Sequence, residues 1–521
     1  MTTEIPNMAL RTSLLLIAGL CLTQVFAQAP ALQWQSALGG SDLDRAYAVQ
    51  QTTDGGYIIA GDTRSNDGDV TGNHGGWDFW VVKLDASGEM EWQKALGGSL
   101  EDVANCIQQT TDGGYIVAGK TASNDGDVTG NNGTWDFWVV KLDAVGAIVW
   151  QKTLGGSALE SASSIQQTAD GGYIVAGWTG SNDGDVTGNH GQNDFWVVKL
   201  DAAGSIVWQK ALGGSDIDIA YSVHQLASGA YVVAGQTYSS DGDVMGFHGL
   251  HDIWIVKLTS SGSLLWQRVY GGTWGELTYS IQETSDGGFI VAGNTNSNDG
   301  DIVCSPIVGG FWVLKLDAVG NMVWQKCAGG SNGADARSVQ QTIDGGYIVA
   351  GKTASNDGDV SGNHGGGDAW VVKLDASGNL AWQKCLGGSS SEVANSIQQT
   401  SDGGYIVAGQ TSSNDGDVSG HHGNGDFWVV KLDSTNTGVG EIRAPAFTIS
   451  PNPSDGLVLV NTGRNLSNAS ITLTDAMGRE LLREQMKGHE QVLDLRDRPK
   501  GLYLISLRAA EGIASQRLVI E

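Results

Sequence analysis

The chain has 521 residues, among them 77 glycines, 7 prolines and 18 tryptophans, and 40% of it is hydrophobic. That length allows two or three domains, and so much apolar surface excludes a disordered, proline-rich polymer. The formal net charge of −28 repels phosphate backbones and argues against nucleic-acid binding, leaving cations, neutral glycans and basic protein surfaces as partners.

Residues 1–27 read as a secretory signal peptide. Arg11 precedes the apolar stretch Leu14 to Leu22, and Val25-Phe26-Ala27 sets a cleavage site before Gln28. No other stretch approaches the ~20 apolar residues of a membrane helix. Four cysteines follow the cleavage point, Cys106, Cys304, Cys327 and Cys385, and none form a CxxC pair. They are too few for a disulfide scaffold, so the fold must rest on its core.

From residue 28 to 433 the chain repeats. Trp34, Trp92, Trp150, Trp208, Trp266, Trp324 and Trp382 are each 58 residues apart, as are Trp80, Trp138, Trp196, Trp254, Trp312, Trp370 and Trp428. A period of this size marks a solenoid, a propeller or an array. Each unit holds four strand-like runs; in the second they fall at about 104–110, 114–121, 137–143 and 147–154. Thr111-Asp112-Gly113 and Ala144-Val145-Gly146 supply the tight turns between neighbouring runs. Valine, isoleucine and aromatic residues fill the runs and no 3.6-residue period is sustained, so the region is all-β.

The phase of the repeat chooses between a ring and an open stack. Leu32–Leu38 is a fourth strand with no first three before it, and 427–433 is a third strand with no fourth after it. An open stack leaves both as unpaired edges. A closed seven-bladed β-propeller of four-stranded blades lets the N-terminal strand complete the last blade.

The unit LGGSxxDxAxxIQQTxDGGYIVAGxT…DxWVVKLDxxG resembles the seven-bladed β-propeller repeat family of secreted bacterial proteins. That resemblance implies the fold and no particular activity. The KLDAxGxxxWQK portion is also similar to quinoprotein propeller repeats, in which the tryptophan docks between blades.

Residues 434–446, with Thr-Asn-Thr-Gly and Pro445, read as a linker. Beyond them the repeat stops and charge balances. Phe447-Thr448-Ile449-Ser450-Pro451-Asn452-Pro453, Asp475-Ala476-Met477-Gly478-Arg479, Gly501-Leu502-Tyr503-Leu504 and Arg517-Leu518-Val519-Ile520-Glu521 follow in order. Residues 447–521 resemble the type A C-terminal sorting domain of the type IX secretion system. The resemblance implies a small β-sandwich that engages the secretion machinery and directs export to the cell surface or beyond.

Strand order puts the LGGS loop and the long SNDGDVTGNHGG loop on one rim. Two readings of the long loop stand side by side. In one, Asn66, Asp67, Asp69 and Asp78 supply oxygens to calcium. The equivalents are Asp125, Asp127 and Asp136; Asp183, Asp185 and Asp194; Asp357, Asp359 and Asp368; and Asp415, Asp417 and Asp426. In the other, these side chains close Asx-type turns on backbone N–H groups. The fifth blade departs from the pattern, since Gly310 replaces the last aspartate.

Aromatics that break the repeat are candidates for ligand binding by ring stacking: Trp77, Trp135, Trp178, Phe247 and Trp274. Blade-to-blade packing is their other reading. Cys304 and Cys327 fall on the same rim and are candidates for a disulfide. No catalytic constellation gathers in one place, so catalytic residues are assigned to none. The chain reads as a monomeric, exported, non-catalytic binding or adhesion module for a glycan or protein. A quinoprotein-like or polysaccharide-acting enzyme and a rigid spacer are the alternatives.

Overall fold

The computed structural model describes residues 28–304, 309–434, 447–462, 469–475, 479–509 and 512–521. The expected signal peptide, and all of the expected linker after residue 434, lie outside the described residues.

Seven antiparallel sheets of four strands each make up residues 32–432. The first blade runs Asp44–Gln51, Tyr57–Thr63, Asp78–Leu84 and Met90–Leu96. The seventh holds Glu392–Gln399, Tyr405–Thr411 and Asp426–Leu432, and takes Leu32–Leu38 as its fourth strand. That clasp is antiparallel, with Ser36 opposite Val429 and Leu38 opposite Phe427. The first strands of all seven blades line one central channel. In the second blade the first strand starts at Asp102, two residues before the expected point, because Asp102 already pairs with Thr121 in the ladder.

The middle two strands of the first blade are buried along their whole length. Neighbouring blades cover both faces, which is why YIVAG and FWVV read as unbroken apolar runs instead of alternating ones. Phe79 meets Trp138 of the next blade with 4.4 Å between ring centroids, and Phe137 meets Trp196 at 4.6 Å. The other tryptophan set docks between blades: Trp34 lies 5.6 Å from the Tyr57 ring, under Gly88. Lys83 is 2% exposed and reaches Asp54 at 3.0 Å. The same pair recurs in every blade except the fourth, where Ser228 stands in place of the aspartate.

The C-terminal residues form a second unit of two sheets. Thr448–Ser450, Leu457–Asn461 and Glu490–Asp494 make one; Glu480–Gln485, Ser470–Asp475, Gly501–Ala509 and Gly512–Ile520 make the other. Val458, Val460, Ile471, Leu473, Ile505 and Leu518 fill the space between them, giving a small β-sandwich.

Candidate binding site at the channel mouth

Every first strand carries a β-bulge at the same place. In the first blade the register slips between Ala46 and Ala48, leaving Tyr47 unpaired. Its equivalents are Asn105, Ser163, Tyr221, Tyr279, Arg337 and Asn395. The glycine of YIVAG makes this possible. A Cβ at Gly119 would stand 1.8 Å from the Val103 carbonyl oxygen, an approach that no larger residue tolerates. A repeated glycine thus re-aims a residue that varies from blade to blade.

The seven bulged residues, with Ser161 and Trp178, line a cavity of ≈ 340 Å³ at the channel mouth. Tyr221 and Tyr279 meet with 5.1 Å between centroids, and the Arg337 guanidinium lies 5.9 Å from the Tyr279 ring. Arg337 donates from Nη1 to Asn395 Oδ1 at 2.6 Å and from Nε to Asp335 Oδ2 at 3.3 Å. Asn395 Nδ2 donates to the Ala46 carbonyl at 2.7 Å, and Asn105 Nδ2 to that of Ala162 at 2.7 Å. Burial pushes the Tyr279 phenol up to about 12 and raises those of Tyr47 and Tyr221. All three are protonated donors at neutral pH.

A second variable ring stands beside the first, one residue before the end of each second strand. It reads Asp62, Lys120, Trp178, Gln236, Asn294, Lys352 and Gln410. Asp62 takes two bonds from Arg45, at 3.0 and 2.7 Å. Burial pushes the Asp62 carboxyl up to about 6 while Arg45 pulls against it, and the Arg45 charge is itself favoured. With its two bonds, the pair is ionic at neutral pH. Gln236 Oε1 and Asn294 Oδ1 are buried acceptors without a hydrogen-bond partner.

Of the five repeat-breaking aromatics, Trp178 lines this cavity. Trp77 lies beneath two guanidinium groups, Arg45 at 4.1 Å and Arg64 at 5.3 Å, and Trp135 beneath Lys120 Nζ at 3.4 Å. Phe247 is half-buried in its loop and Trp274 is 57% exposed. Sequence reasoning passed over the bulged residues; their signal was the unconstrained fourth position of DxAxxIQQ.

The carboxylates of the long loop latch it to the LGGS loop. Asp67 Oδ1 accepts the Ser41 N–H at 2.7 Å and Asp69 Oδ2 the Gly39 N–H at 3.1 Å. Asp125 and Asp127, Asp183 and Asp185, Asp357 and Asp359, and Asp415 and Asp417 repeat these bonds. Asn66 Nδ2 faces the Asn73 carbonyl at 3.4 Å. Asp78 stands apart, fully buried at the blade junction, where it accepts the His74 N–H at 2.9 Å. Among the described residues, no group of three or more His, Cys, Asp or Glu side chains is placed to hold a metal ion.

Asp78 instead faces Asp102 of the next blade: a Cβ at Gly97 would lie 2.8 Å from Asp78 Oδ1 and 2.6 Å from Asp102 Oδ2. Asp136 and Glu160, Asp194 and Asp218, Asp368 and Glu392, and Asp426 and Asp44 form the same fully buried arrangement. At the junction of the fifth and sixth blades Gly310 and Ala334 replace both acids together. Burial above all, and then the neighbouring acid, pushes Asp136 and Asp218 up to about 6. Cys304 and Cys327 form a disulfide, with Cα atoms 5.7 Å apart.

Residues 448–521 match the family model described as the secretion system C-terminal sorting domain. This is the type IX sorting domain, and chains that carry it are exported to the cell surface or the extracellular space. No curated protein matches the chain. Among solved structures it is similar to PorZ, a surface component of the type IX secretion system of Porphyromonas gingivalis. Identity is 12%, the TM-score 0.41, and the match covers 93% of this chain and 60% of that one. It is similar also to the extracellular domain of a hybrid two-component system from B. thetaiotaomicron (10% identity, TM-score 0.43, 94% and 60% covered). A puromycin hydrolase matches at 14% identity and TM-score 0.45, with 84% and 62% covered. The chain thus spans about 60% of the length of the first two. At these scores the likenesses carry no functional inference.

Proposed function

We propose that the exported chain is a non-catalytic binding module whose ligand, the end of a glycan chain, docks in the propeller mouth. One observation carries this reading. Blades that are otherwise near copies carry different residues at the bulge, and all seven bulged residues converge with Trp178 on one cavity. The cavity wall combines tyrosine and tryptophan faces with amide, hydroxyl and guanidinium groups, a lining that takes a sugar ring by stacking plus hydrogen bonds. Its ≈ 340 Å³ sits at the small end of ligand pockets, roughly 300–1,000 Å³. That size suits one or two sugar rings better than a protein edge.

A glycan array read with the wild-type chain, followed by calorimetry with Trp178→Ala and Tyr279→Ala, tests the reading. Binding that falls at least tenfold in both variants, with melting temperatures kept within a few degrees, supports it. Affinity unchanged in both variants, or no glycan bound at all, overturns it. Turnover of a bound glycan overturns its non-catalytic part.

A further inference from the structure

The propeller has eighteen lysines and arginines, and thirteen belong to the repeat. Seven are the third-strand lysines of the Lys83 type, buried in all but the fourth blade, and six cations sit on fourth strands at the Lys94 position. The remaining five are Arg45, Arg64, Lys120, Arg337 and Lys352. All five stand on the two variable rings or, for Arg45 and Arg64, next to them. No repeat-breaking cation lies anywhere else on the propeller. On a chain of net charge −28, that concentration at one place is not a property of the surface as a whole.

Three of the five are already paired: Arg45 with Asp62 at 2.7 Å, Lys120 with Glu101 at 2.8 Å, Arg337 with Asp335 at 3.3 Å. Arg64 and Lys352 are exposed, and among the described residues neither has an ion-pair partner. Arg337 spends two of its five N–H groups on Asp335 and Asn395, and it lines the cavity itself. Guanidinium is the side chain best matched to a planar oxyanion, which it holds by parallel N–H bonds.

Resting on the glycan reading above, we propose that the mouth selects an acidic glycan. The sugar's oxyanion, carboxylate or sulfate, is held by Arg337, with Lys352 and Arg64 drawing it in. The acidic loops outside the mouth repel such a ligand at long range, so recognition is local and the cations are concentrated where the ligand lands. This departs from what the net charge alone suggests, namely a partner that is neutral or basic.

The test titrates three oligosaccharides of equal length, one bearing uronates, one sulfated and one neutral, into the full exported chain at low and moderate salt. The inference expects one of the acidic ligands to bind at least tenfold tighter than the neutral one, and the gap to shrink as salt rises. Which acidic ligand wins identifies the oxyanion. Arg337→Gln is expected to remove the preference while neutral binding persists. Because Arg337 also braces Asp335 and Asn395, Lys352→Gln serves as a second variant; it breaks no ion pair among the described residues and is expected to lower the acidic affinity severalfold. Equal binding of acidic and neutral sugars overturns the inference and leaves the glycan reading standing. Failure of all three ligands overturns both. A preference that survives Arg337→Gln and Lys352→Gln overturns the assignment of these residues.

Discussion

Gly235 packs so closely on Ile219 that a Cβ there would stand 2.0 Å from the Ile219 carbonyl oxygen. This contact lets the first strand of the fourth blade bulge and turns Tyr221 into the channel mouth. Gly235→Ala must push the strands apart, and overpacking of this kind costs about 1–3 kcal/mol. The expected outcome is a lowered melting temperature together with weakened ligand binding, since Tyr221 leaves the wall. Thermal unfolding and calorimetry of the variant check both. Full affinity with lost stability would separate the bulge from the site.

Ser228 deprives Lys257 of the aspartate that its six counterparts have. Its ammonium turns instead to the Ala318 carbonyl at 3.4 Å and stands 5.6 Å from the Phe289 ring. Ser228→Asp restores the pair. Because the aspartates of this type are more than half exposed, the gain is small, about 0.5–1 kcal/mol. Its pH dependence has a definite sign. In Asp112 burial raises the carboxyl, but Thr110, Lys141 and Gly114 together outweigh it and hold it at about 2. A depressed carboxyl adds stability above its unfolded value, and that stability is lost as pH falls toward about 2. Denaturation of variant and wild type at pH 7 and at pH 2 is expected to show the gain at the first and none at the second.

Much of this architecture is legible in the sequence. The 58-residue period, the orphan fourth strand at Leu32–Leu38 and the orphan third strand at Asp426–Leu432 lead to a ring, because the alternative exposes two edges. The site was less legible. Single aromatics drew attention to Trp77 and Trp135, but Arg45, Arg64 and Lys120 cover their faces. The residues that line the mouth are marked by variability at a fixed repeat position. Seeing why that position faces the channel requires the bulge, which depends on a close backbone approach that a period-two strand pattern does not encode. The partners of the loop aspartates are hidden for a related reason. Sequence supplies the number and spacing of the aspartates, whereas the N–H groups of Ser41 and Gly39 that occupy them come from a loop some thirty residues away.

The acid pairs between blades predict that the propeller is more stable in weak acid than at alkaline pH. Asp136 and Asp218 are raised to about 6, burial being the main cause. Between the ordinary aspartate value and about 6 the folded state therefore binds more protons than the unfolded chain, so stability rises as pH falls through that window. Asp136→Asn removes one buried charge and keeps the shape. The variant is expected to melt higher than wild type at pH 8, with the gap closing by pH 5. Melting curves across that range check it; a gap independent of pH would sink the argument.

Chelation is expected to leave the melting temperature unchanged. The oxygens of Asp67 and Asp69 that face the loop are already bonded to backbone N–H groups, and Asp78 is buried apart from them. An ion held only by the folded state must raise the melting point. A drop of several degrees in chelator, reversed by calcium, would return these residues to the role of ligands.

The clasp is built to the same specification as the covalently continuous blades. Trp428 Nε1 donates to Gln35 Oε1 at 2.8 Å, just as Trp80 Nε1 donates to Gln93 Oε1 at 2.9 Å inside the first blade. Gln35 also donates to Ser419 Oγ at 2.7 Å, as Gln93 does to Thr71 Oγ1 at 2.6 Å. Matching contacts predict matching costs: Gln35→Ala and Gln93→Ala each lose the tryptophan's partner, and each is expected to destabilise by about 1–2 kcal/mol. Removing residues 28–38 altogether is a different perturbation. It uncovers the Asp426–Leu432 edge, a long apolar strand with unpaired backbone groups, and the expected outcome is aggregation instead of a soluble monomer. Light scattering distinguishes the two cases. If Gln35→Ala proves far more damaging than Gln93→Ala, the ring opens at its seam before any blade unfolds, and the non-covalent closure limits its stability.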